Sequence, residues 1–225
     1  MKTIKIGISR CLQGQRVRYD GAGKYSRICN EELAERFELV SVCPEVDAGL
    51  TVPRPPVELV RLPAEIRMLG RDDSSLDVTD TITSFIETSL PGLQELAGFV
   101  LTTRSPSCGL NSVPVKSTKG RLLKEKSSGL FAQALVDCYP CLPVIEEQAL
   151  RRDGALAAFE LSVIIYSLFK RSCTAEFAAV LPFAHEVLVV NNLMQQMAIV
   201  KESLAKLNQT RLSSLLKTLR ESIDE

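Results

Sequence analysis

The chain has 225 residues, of which 45% are hydrophobic and 24% charged, a composition typical of a globular protein with a sizeable core. Its 27 Lys and Arg residues balance its 27 Asp and Glu residues, so the net charge does not indicate an unspecific nucleic-acid or membrane binder. Seven cysteines accompany a single histidine, His185, which excludes a three-histidine zinc enzyme within one chain and leaves any metal chemistry to thiolates.

Four short apolar runs have the length of buried strands, and candidate helices lie between them. The runs span residues 4–9, 39–43, 99–103 and 142–145. Helical spacing of apolar residues predicts one helix with Asn30 as its N-cap, a second that contains Ile82, and a third after Gly129. Buried strands that alternate with helices indicate an α/β fold with a mostly parallel sheet flanked by helices.

The sequence changes character near residue 151. From there to residue 225 it has almost no strand signal, and its apolar residues follow helical spacing. We therefore predict two domains, 1–150 and 151–225, of which the second is an all-helical C-terminal extension of unknown role. Its narrow apolar seam, Leu193 to Leu207, predicts a helix that packs on its own domain or forms a homodimer.

No targeting or membrane segment is evident. The N-terminus lacks the apolar core and cleavage site of a signal peptide, and the apolar run 161–169 is shorter than the about 20 residues that span a bilayer. We therefore expect a cytoplasmic protein without a membrane partner. Thiols stay reduced in the cytoplasm, so core packing, metal binding or catalysis explains seven cysteines better than disulfides do.

Three cysteines follow predicted strands. Cys11, Cys43 and Cys108 lie at or shortly after the ends of the first, second and third apolar runs. If these strands are parallel, the three thiols meet at the carboxyl edge of one sheet, where open α/β folds place their ligand crevice.

Three thiolates without a nearby imidazole suit a soft metal site, which means zinc or an iron–sulfur cluster. Structural sites of either kind usually have four protein ligands, so a site with three leaves one metal position open for a substrate. Burial of three small residues in the core is the alternative that the spacing leaves open.

The other cysteines give weaker signals. Cys29 shares a helix face with apolar residues and is predicted to lie in the core. Cys138 and Cys141 form a C-x-x-C pair that ends a helix and precedes a strand, the reverse of the usual redox context, so a redox role for them is left open. Cys173 has no assignment, and His185 is predicted to be structural.

Several short motifs occur in order along the first two thirds of the chain. They include Ser-Arg-Cys-Leu at 9–12, Val-Cys-Pro-Glu at 42–45, Val-Pro-Arg-Pro-Pro at 52–56, Arg-Ser-Pro-Ser-Cys-Gly at 104–109 and Gly-Leu-Phe-Ala at 129–132. In these motifs the sequence resembles the thiouracil desulfurase family (TudS), over roughly residues 4–150.

The resemblance implies an enzyme with a [4Fe-4S] cluster on three cysteines, which match Cys11, Cys43 and Cys108. It also implies a glutamate and a serine in the active site, which match Glu45 and Ser105. We therefore expect an iron–sulfur desulfidase that hydrolyses a thiocarbonyl of the thiouracil or thiouridine type to the oxo form and releases sulfide.

The residues suit that chemistry. An iron without a protein ligand is a thiophilic Lewis acid for the thiocarbonyl sulfur, and Glu45 can act as general acid or base for the attacking water. Ser105 can hydrogen-bond the heterocycle or relay a proton. Asp20 and Ser107 are candidate ring contacts, although Asp20 precedes a glycine and can equally be a turn former.

The last part of the chain, from residue 177 onward, has no motif that matches the family. We expect a small thiolated pyrimidine as substrate, or a thiolated nucleoside of tRNA, although a tail that is neither strongly basic nor aromatic gives RNA contact little support. The alternative function is a non-catalytic structural or interaction module, in which the thiols hold zinc and the seam at 193–207 mediates dimerisation.

Overall fold

The structure, a computed structural model, describes residues 4–170 and Lys217. In this part of the chain the strands are β1 (Lys5–Ser9), β2 (Glu38–Val42), β3 (Val57–Arg61), β4 (Ile66–Gly70), β5 (Phe99–Leu101), β6 (Val113–Ser117), β7 (Leu122–Ser127) and β8 (Val144–Glu146). The helices are α1 (Ala34–Arg36), α2 (Pro44–Asp47), α3 (Thr79–Ser89), α4 (Leu130–Cys138) and α5 (Ala155–Lys170). A π-helix at Ile28–Leu33 runs into α1, and 3₁₀ turns span Arg10–Gln13, Leu90–Leu93 and Ala149–Arg151.

The four predicted strands form one parallel sheet in the order β2-β1-β5-β8. Ile6, Ile8 and Phe99 on these strands are fully buried, as expected for a sheet covered on both faces. The predicted α/β fold with a mostly parallel sheet is confirmed. β2 and β5 lie on opposite sides of β1, so the strand order reverses direction at β1. Open α/β sheets bind ligands at the carboxyl ends of the strands beside such a reversal.

A second sheet, in the order β4-β3-β6-β7, has no counterpart among the predicted strands. β3 and β6 are parallel, whereas β4 and β7 pair antiparallel to them. β7 has no buried residue, and three of its residues, Lys124, Glu125 and Lys126, are charged. It therefore lacks the apolar run on which strand prediction depends.

The first helical segment begins ahead of Asn30, with the π-helix. The Asn30 side-chain amide donates to the carbonyls of Leu12 and Ser26 at 2.8 and 2.7 Å. The prediction of Asn30 as N-cap is wrong, because its side chain binds carbonyl groups and not the free N–H groups of a helix end. Cys29 is fully buried in the core, as predicted.

α5 packs against the entry to β5. A Cβ added at Gly98 would lie 2.6 Å from Val163 Cγ2 and 3.2 Å from Phe159 Cζ, and both side chains belong to the same hydrophobic core as the parallel sheet. Glu160 on this helix lies 2.8 Å from Arg36 Nη1. The helix therefore shares the core of the preceding residues, and the division of the chain at residue 150 stays a prediction.

Within residues 4–170, no helix has the length and apolar character needed to span a bilayer. The predictions for Cys173, His185 and the apolar seam at 193–207 fall on residues outside the described part of the chain.

Candidate active site

The three cysteines predicted as metal ligands lie at one edge of the parallel sheet. Cys11 lies in the 3₁₀ turn after β1, Cys43 lies between the end of β2 and the start of α2, and Cys108 lies in the turn after β5. All three line a cavity of about 250 Å³, and Glu45 and Ser105 line it too. Five of the seven predicted site residues therefore meet in one place.

Polar groups beside the three sulfurs act against the effect of burial on their pKa values. Burial, the larger effect, raises the pKa of each thiol, whereas Thr102 lowers that of Cys11, the backbone N–H of Val46 lowers that of Cys43, and Ser9 lowers that of Cys108.

Burial raises the pKa of all three thiols, and that of Cys108 lies well above its usual value of 9.0. Negative charge on Cys11 or Cys43 raises the pKa of Cys108 further, so the sulfurs are close enough to interact. A bound metal displaces the thiol protons and thereby favours the thiolate form, which burial alone disfavours. Among the described residues, no three His, Cys, Asp or Glu side chains are arranged to hold a metal ion, so the thiols share the cavity without surrounding one ion position.

Glu45, in the first turn of α2, is held through both carboxylate oxygens. The Ser107 hydroxyl donates to Oε1 at 2.8 Å, and Arg54 donates to Oε2 from Nη2 at 2.6 Å and from Nε at 2.9 Å. The side chains of Glu45 and Arg54 are only 12% and 6% exposed. These bonds fix the orientation of the carboxylate in the cavity that the thiols line.

Arg54 is itself held by backbone groups. Its Nη2 donates to the carbonyl of Val17 and its Nη1 to that of Thr51, both at 3.1 Å, and its backbone N–H donates to the Tyr19 carbonyl at 2.9 Å. In the sequence, Arg54 is the basic residue of a proline-rich motif, and no sequence pattern predicts that it contacts Glu45. The structure adds it to the site.

Ser105 begins the turn that carries Cys108. Its Oγ accepts hydrogen bonds from the N–H groups of Ser107 and Cys108 at 3.2 and 3.1 Å. With both lone pairs of the hydroxyl engaged, the remaining capacity of Ser105 is to donate its own proton. Ser107, predicted as a ring contact, is fully buried and directs its hydroxyl to Glu45.

The N-terminus of α4 packs directly against the Cys108 turn. The Gly129 N–H donates to the Gly109 carbonyl at 2.7 Å, and the Ala132 N–H donates to the Ser107 carbonyl at 3.1 Å. A Cβ at position 129 would lie 2.4 Å from the Ser107 carbonyl carbon. Only glycine allows the helix to approach the turn this closely.

An ion pair joins the first two cysteine loops. Arg10 Nη2 lies 2.8 Å from Asp47 Oδ1 and 2.9 Å from Oδ2. Asp47 Oδ2 also accepts a hydrogen bond from the backbone N–H of Cys43 at 3.0 Å. Because Arg10 immediately precedes Cys11, this contact fixes the spacing of the two loops.

Asp20 is exposed and lies outside the cavity lining. Its Oδ1 accepts a hydrogen bond from the Ala22 N–H at 3.0 Å, and this bond lowers the pKa of the Asp20 carboxyl. The contact is typical of an aspartate that forms a turn. A contact between Asp20 and a substrate stays a prediction.

Arginine dominates the charge of the cavity lining. Among the described residues that line it, one is a carboxylate, Glu45, and five are arginines, Arg10, Arg18, Arg54, Arg71 and Arg104. Four of these arginines have an acidic partner, whereas Arg104 has none within residues 4–170. Such a lining attracts electron-rich or negatively charged groups.

The remaining described cysteines lie apart from this site. Cys138 is exposed at the end of α4, and Cys141 is half-buried ahead of β8. The pair therefore has the helix-then-strand context expected from the sequence, and neither residue lines the cavity.

A family model described as 2-thiouracil desulfurase matches residues 6–147. The chain is 29% identical over 136 residues to the uncharacterised protein YbbK of Bacillus subtilis (strain 168), which covers 58% of this chain and 88% of YbbK. It is similar to the solved structure of a [4Fe-4S]-dependent thiouracil desulfidase, TudS, at 32% identity and a TM-score of 0.52, covering 65% of this chain and 93% of that one.

Proposed function

Because the chain belongs to the 2-thiouracil desulfurase family, we propose that it is an iron–sulfur enzyme that hydrolyses the thiocarbonyl of a pyrimidine to a carbonyl and releases sulfide. The family resemblance predicted from the motifs is confirmed. The observation that carries the proposal is the meeting of three thiols and one carboxylate, held by Arg54 and Ser107, in a single cavity.

Cys11, Cys43 and Cys108 would hold a [4Fe-4S] cluster. The donor set fits this group, because the described residues that line the cavity include three thiols and no imidazole. The ligands of such a cluster bind separate iron atoms, so they need not surround one ion position as the ligands of zinc do. When bound through three cysteines, the cluster supplies a thiophilic Lewis acid at the iron that lacks a protein ligand.

Glu45 is the residue that can take a proton from water. Its Oε2 accepts two hydrogen bonds from Arg54, whereas its Oε1 accepts one, from Ser107. A carboxylate oxygen has two lone pairs, so Oε1 keeps one acceptor position. We assign Glu45 Oε1 as the base that takes a proton from the water attacking the thiocarbonyl carbon, and as the acid that returns it to the departing sulfide.

Ser105 complements Glu45 because its hydroxyl can only donate. We assign it to donate a hydrogen bond to a ring acceptor of the pyrimidine. Ser107 enters the proposal as the residue that holds Glu45, and its predicted contact to the ring, like that of Asp20, stays a prediction.

The cofactor is tested by anaerobic reconstitution with iron and sulfide, followed by iron and acid-labile sulfide analysis. The wild type should bind about four of each per chain, and Cys11→Ala, Cys43→Ala and Cys108→Ala should each lose them. Cys138→Ala is the matched control, because this exposed cysteine lies outside the cavity, and it should bind iron normally. Zinc without iron in the wild type, or normal iron in the three variants, would contradict the proposal.

The reaction is tested by incubating the loaded protein with 2-thiouracil and measuring the oxo product and sulfide. We propose a small thiolated pyrimidine as the substrate, so free base or nucleoside should react faster than thiolated tRNA. Faster desulfuration of the tRNA would identify RNA as the substrate, and no sulfide from any of them would refute the proposed activity.

A further inference from the structure

Tyr19 is an aromatic residue of the cavity lining that the core does not cover. It is 37% exposed, and it is one of four exposed large apolar residues in the described part of the chain. Of these four, Tyr19 alone lines the cavity, and it is the one aromatic residue among the described residues of that lining. Single exposed apolar residues are common on protein surfaces, so it is the location of Tyr19 that points to ligand binding.

The turn that carries Tyr19 is held by backbone hydrogen bonds. The Gly21 N–H donates to the Arg18 carbonyl at 2.9 Å, and the Arg18 N–H donates to the Ala22 carbonyl at 3.3 Å. The Asp20 side chain adds a third bond, because its Oδ1 accepts from the Ala22 N–H at 3.0 Å. Tyr19 lies inside this turn, so its backbone has a fixed position.

Arg54 connects this turn to the carboxylate of Glu45. Its backbone N–H donates to the Tyr19 carbonyl at 2.9 Å, and its Nη2 donates to the Val17 carbonyl at 3.1 Å. The same guanidinium group donates to Glu45 from Nη2 and Nε. One buried residue therefore fixes the backbone of Tyr19 relative to the proposed base.

The ring of Tyr19 is restrained by a cation. The guanidinium carbon of Arg18 lies 5.8 Å from the ring centroid, within the range of a cation–π contact. Arg18 is in turn held by Asp20, whose Oδ1 lies 3.5 Å from Arg18 Nε. The ring therefore has a neighbour that limits its motion, while more than a third of the residue stays accessible.

We propose that Tyr19 is a specificity-determining residue, on whose ring the planar pyrimidine stacks when it enters the cavity. This inference rests on the proposed function, because it concerns the substrate of that reaction. Nucleobases stack on aromatic side chains because both have flat π-faces, and removal of the side chain weakens binding by about 5- to 150-fold per base. The substrate class is therefore a flat, conjugated ring with a thiocarbonyl, in preference to a saturated ring with the same group.

The experiment compares 2-thiouracil with 5,6-dihydro-2-thiouracil, which carries the same thiocarbonyl on a partly saturated ring that is not flat. The ratio of their kcat/KM values is measured on the reconstituted full-length protein, with rates normalised to bound iron. Differences in intrinsic reactivity cancel when this ratio is compared between variants. Tyr19→Leu should lower the ratio by at least about fivefold, the lower end of the stacking effect, whereas Tyr19→Phe retains the ring and should keep the wild-type ratio.

Binding of uracil, the oxo product of 2-thiouracil, gives a second measurement that does not depend on turnover. Isothermal titration calorimetry of the reconstituted proteins should show binding weakened by about the same factor in Tyr19→Leu, and unchanged in Tyr19→Phe. Tyr25→Leu is the matched control, because Tyr25 is 58% exposed but lies outside the cavity lining. It should match the wild type in both measurements.

A wild-type substrate ratio and wild-type uracil binding in Tyr19→Leu would overturn the inference and leave the proposed function intact. Equal losses in Tyr19→Leu and Tyr25→Leu, or in Tyr19→Leu and Tyr19→Phe, would also overturn it, because the effect would not come from a stacking ring in the cavity. Wild-type protein that desulfurates neither substrate would instead refute the proposed function, and this inference with it.

Discussion

Arg54 donates two hydrogen bonds to a single oxygen of Glu45, from Nη2 at 2.6 Å and from Nε at 2.9 Å. Both side chains are almost completely buried, so each charge depends on the other for its stability. Removal of one member of a buried pair leaves the other charge without compensation. The pair therefore connects the proline-rich segment to α2 and also orients the Glu45 carboxylate.

We predict that Arg54→Ala lowers the free energy of unfolding by about 3–5 kcal/mol, the usual effect of breaking a buried pair. Arg54→Lys keeps the charge but not the planar fork, so it should be destabilised less. Chemical denaturation of the apoprotein measures both. Arg61→Ala is the control, because Arg61 pairs with Glu125 on the exposed surface, where such pairs contribute about 0–1 kcal/mol. Equal losses in Arg54→Ala and Arg61→Ala would contradict the structure.

Glu45→Gln should retain the cluster and lose turnover. Glutamine preserves the shape of the side chain but cannot take a proton from water, so kcat should fall by about 10²- to 10⁴-fold, the usual contribution of general acid–base catalysis. Sulfide release under saturating 2-thiouracil measures the effect, with iron content as the control. Wild-type turnover with a full cluster would remove Glu45 from the mechanism.

Glu147 connects the end of the parallel sheet to the segment before α1. It is 2% exposed and accepts hydrogen bonds from Ser26 Oγ at 2.9 Å and Arg151 Nη2 at 2.7 Å. Burial alone would raise the pKa of Glu147, but these bonds and the charges of Arg151 and Lys24 hold it below its usual value of 4.5.

A carboxyl group whose pKa is lower in the folded than in the unfolded protein stabilises the fold above the unfolded pKa, and this contribution disappears as the pH falls through the folded pKa. Glu147→Gln should therefore lower the free energy of unfolding by about 1.5–3 kcal/mol at pH 7. The difference from the wild type should shrink below pH 4.5. Urea denaturation across this range measures it, and a difference that does not change with pH would refute the assignment.

Gly129→Ala should disturb the turn that carries Cys108. The added methyl group would overlap the Ser107 carbonyl carbon, which lies 2.4 Å from its position, and neither backbone segment can move without breaking hydrogen bonds. We expect a loss of about 1–3 kcal/mol, typical of overpacking, together with a lower iron content after reconstitution.

Gly92→Ala is the control for this substitution, because a Cβ at that position meets no atom within 4 Å. It should change the free energy of unfolding by less than about 0.5 kcal/mol and leave iron binding unchanged. Equal iron content in the two variants would show that the contact between α4 and the turn does not position Cys108.

The parallel sheet and the placement of its cysteines were predictable because both depend on local sequence. Buried parallel strands are short apolar runs, and each of the three cysteines lies close to the carboxyl end of one of them. The second sheet was not predictable in the same way, since β7 has no buried residue and pairs through its backbone. The sequence feature that marks β7 is the turn of its hairpin with β6, where Gly120 has a φ of 71°.

The partners of the site residues could not be predicted, because they arise from contacts across the fold. Arg54 reaches Glu45 from a segment without regular structure, and Ser107 reaches Glu45 across 62 positions of the chain. The N-cap prediction for Asn30 failed for the same reason. Its side-chain amide donates to the carbonyl groups of Leu12 and Ser26 and does not bind the free N–H groups at the start of the helix. The local structural preference of a polar residue is overridden where a contact with a distant part of the chain gives its side chain better hydrogen bonds.

The strand order β2-β1-β5 has a consequence for the biosynthesis of the protein. The three thiols follow three different strands, and β1 pairs with β2 and β5 at opposite edges, so the proposed ligands come together only after the last of these strands has paired. In a zinc finger, by contrast, the metal drives the folding of the segment that binds it. If these thiols hold a cluster as proposed, we expect the sheet to form before the cluster is inserted and the apoprotein to be a folded acceptor that can be emptied and reloaded.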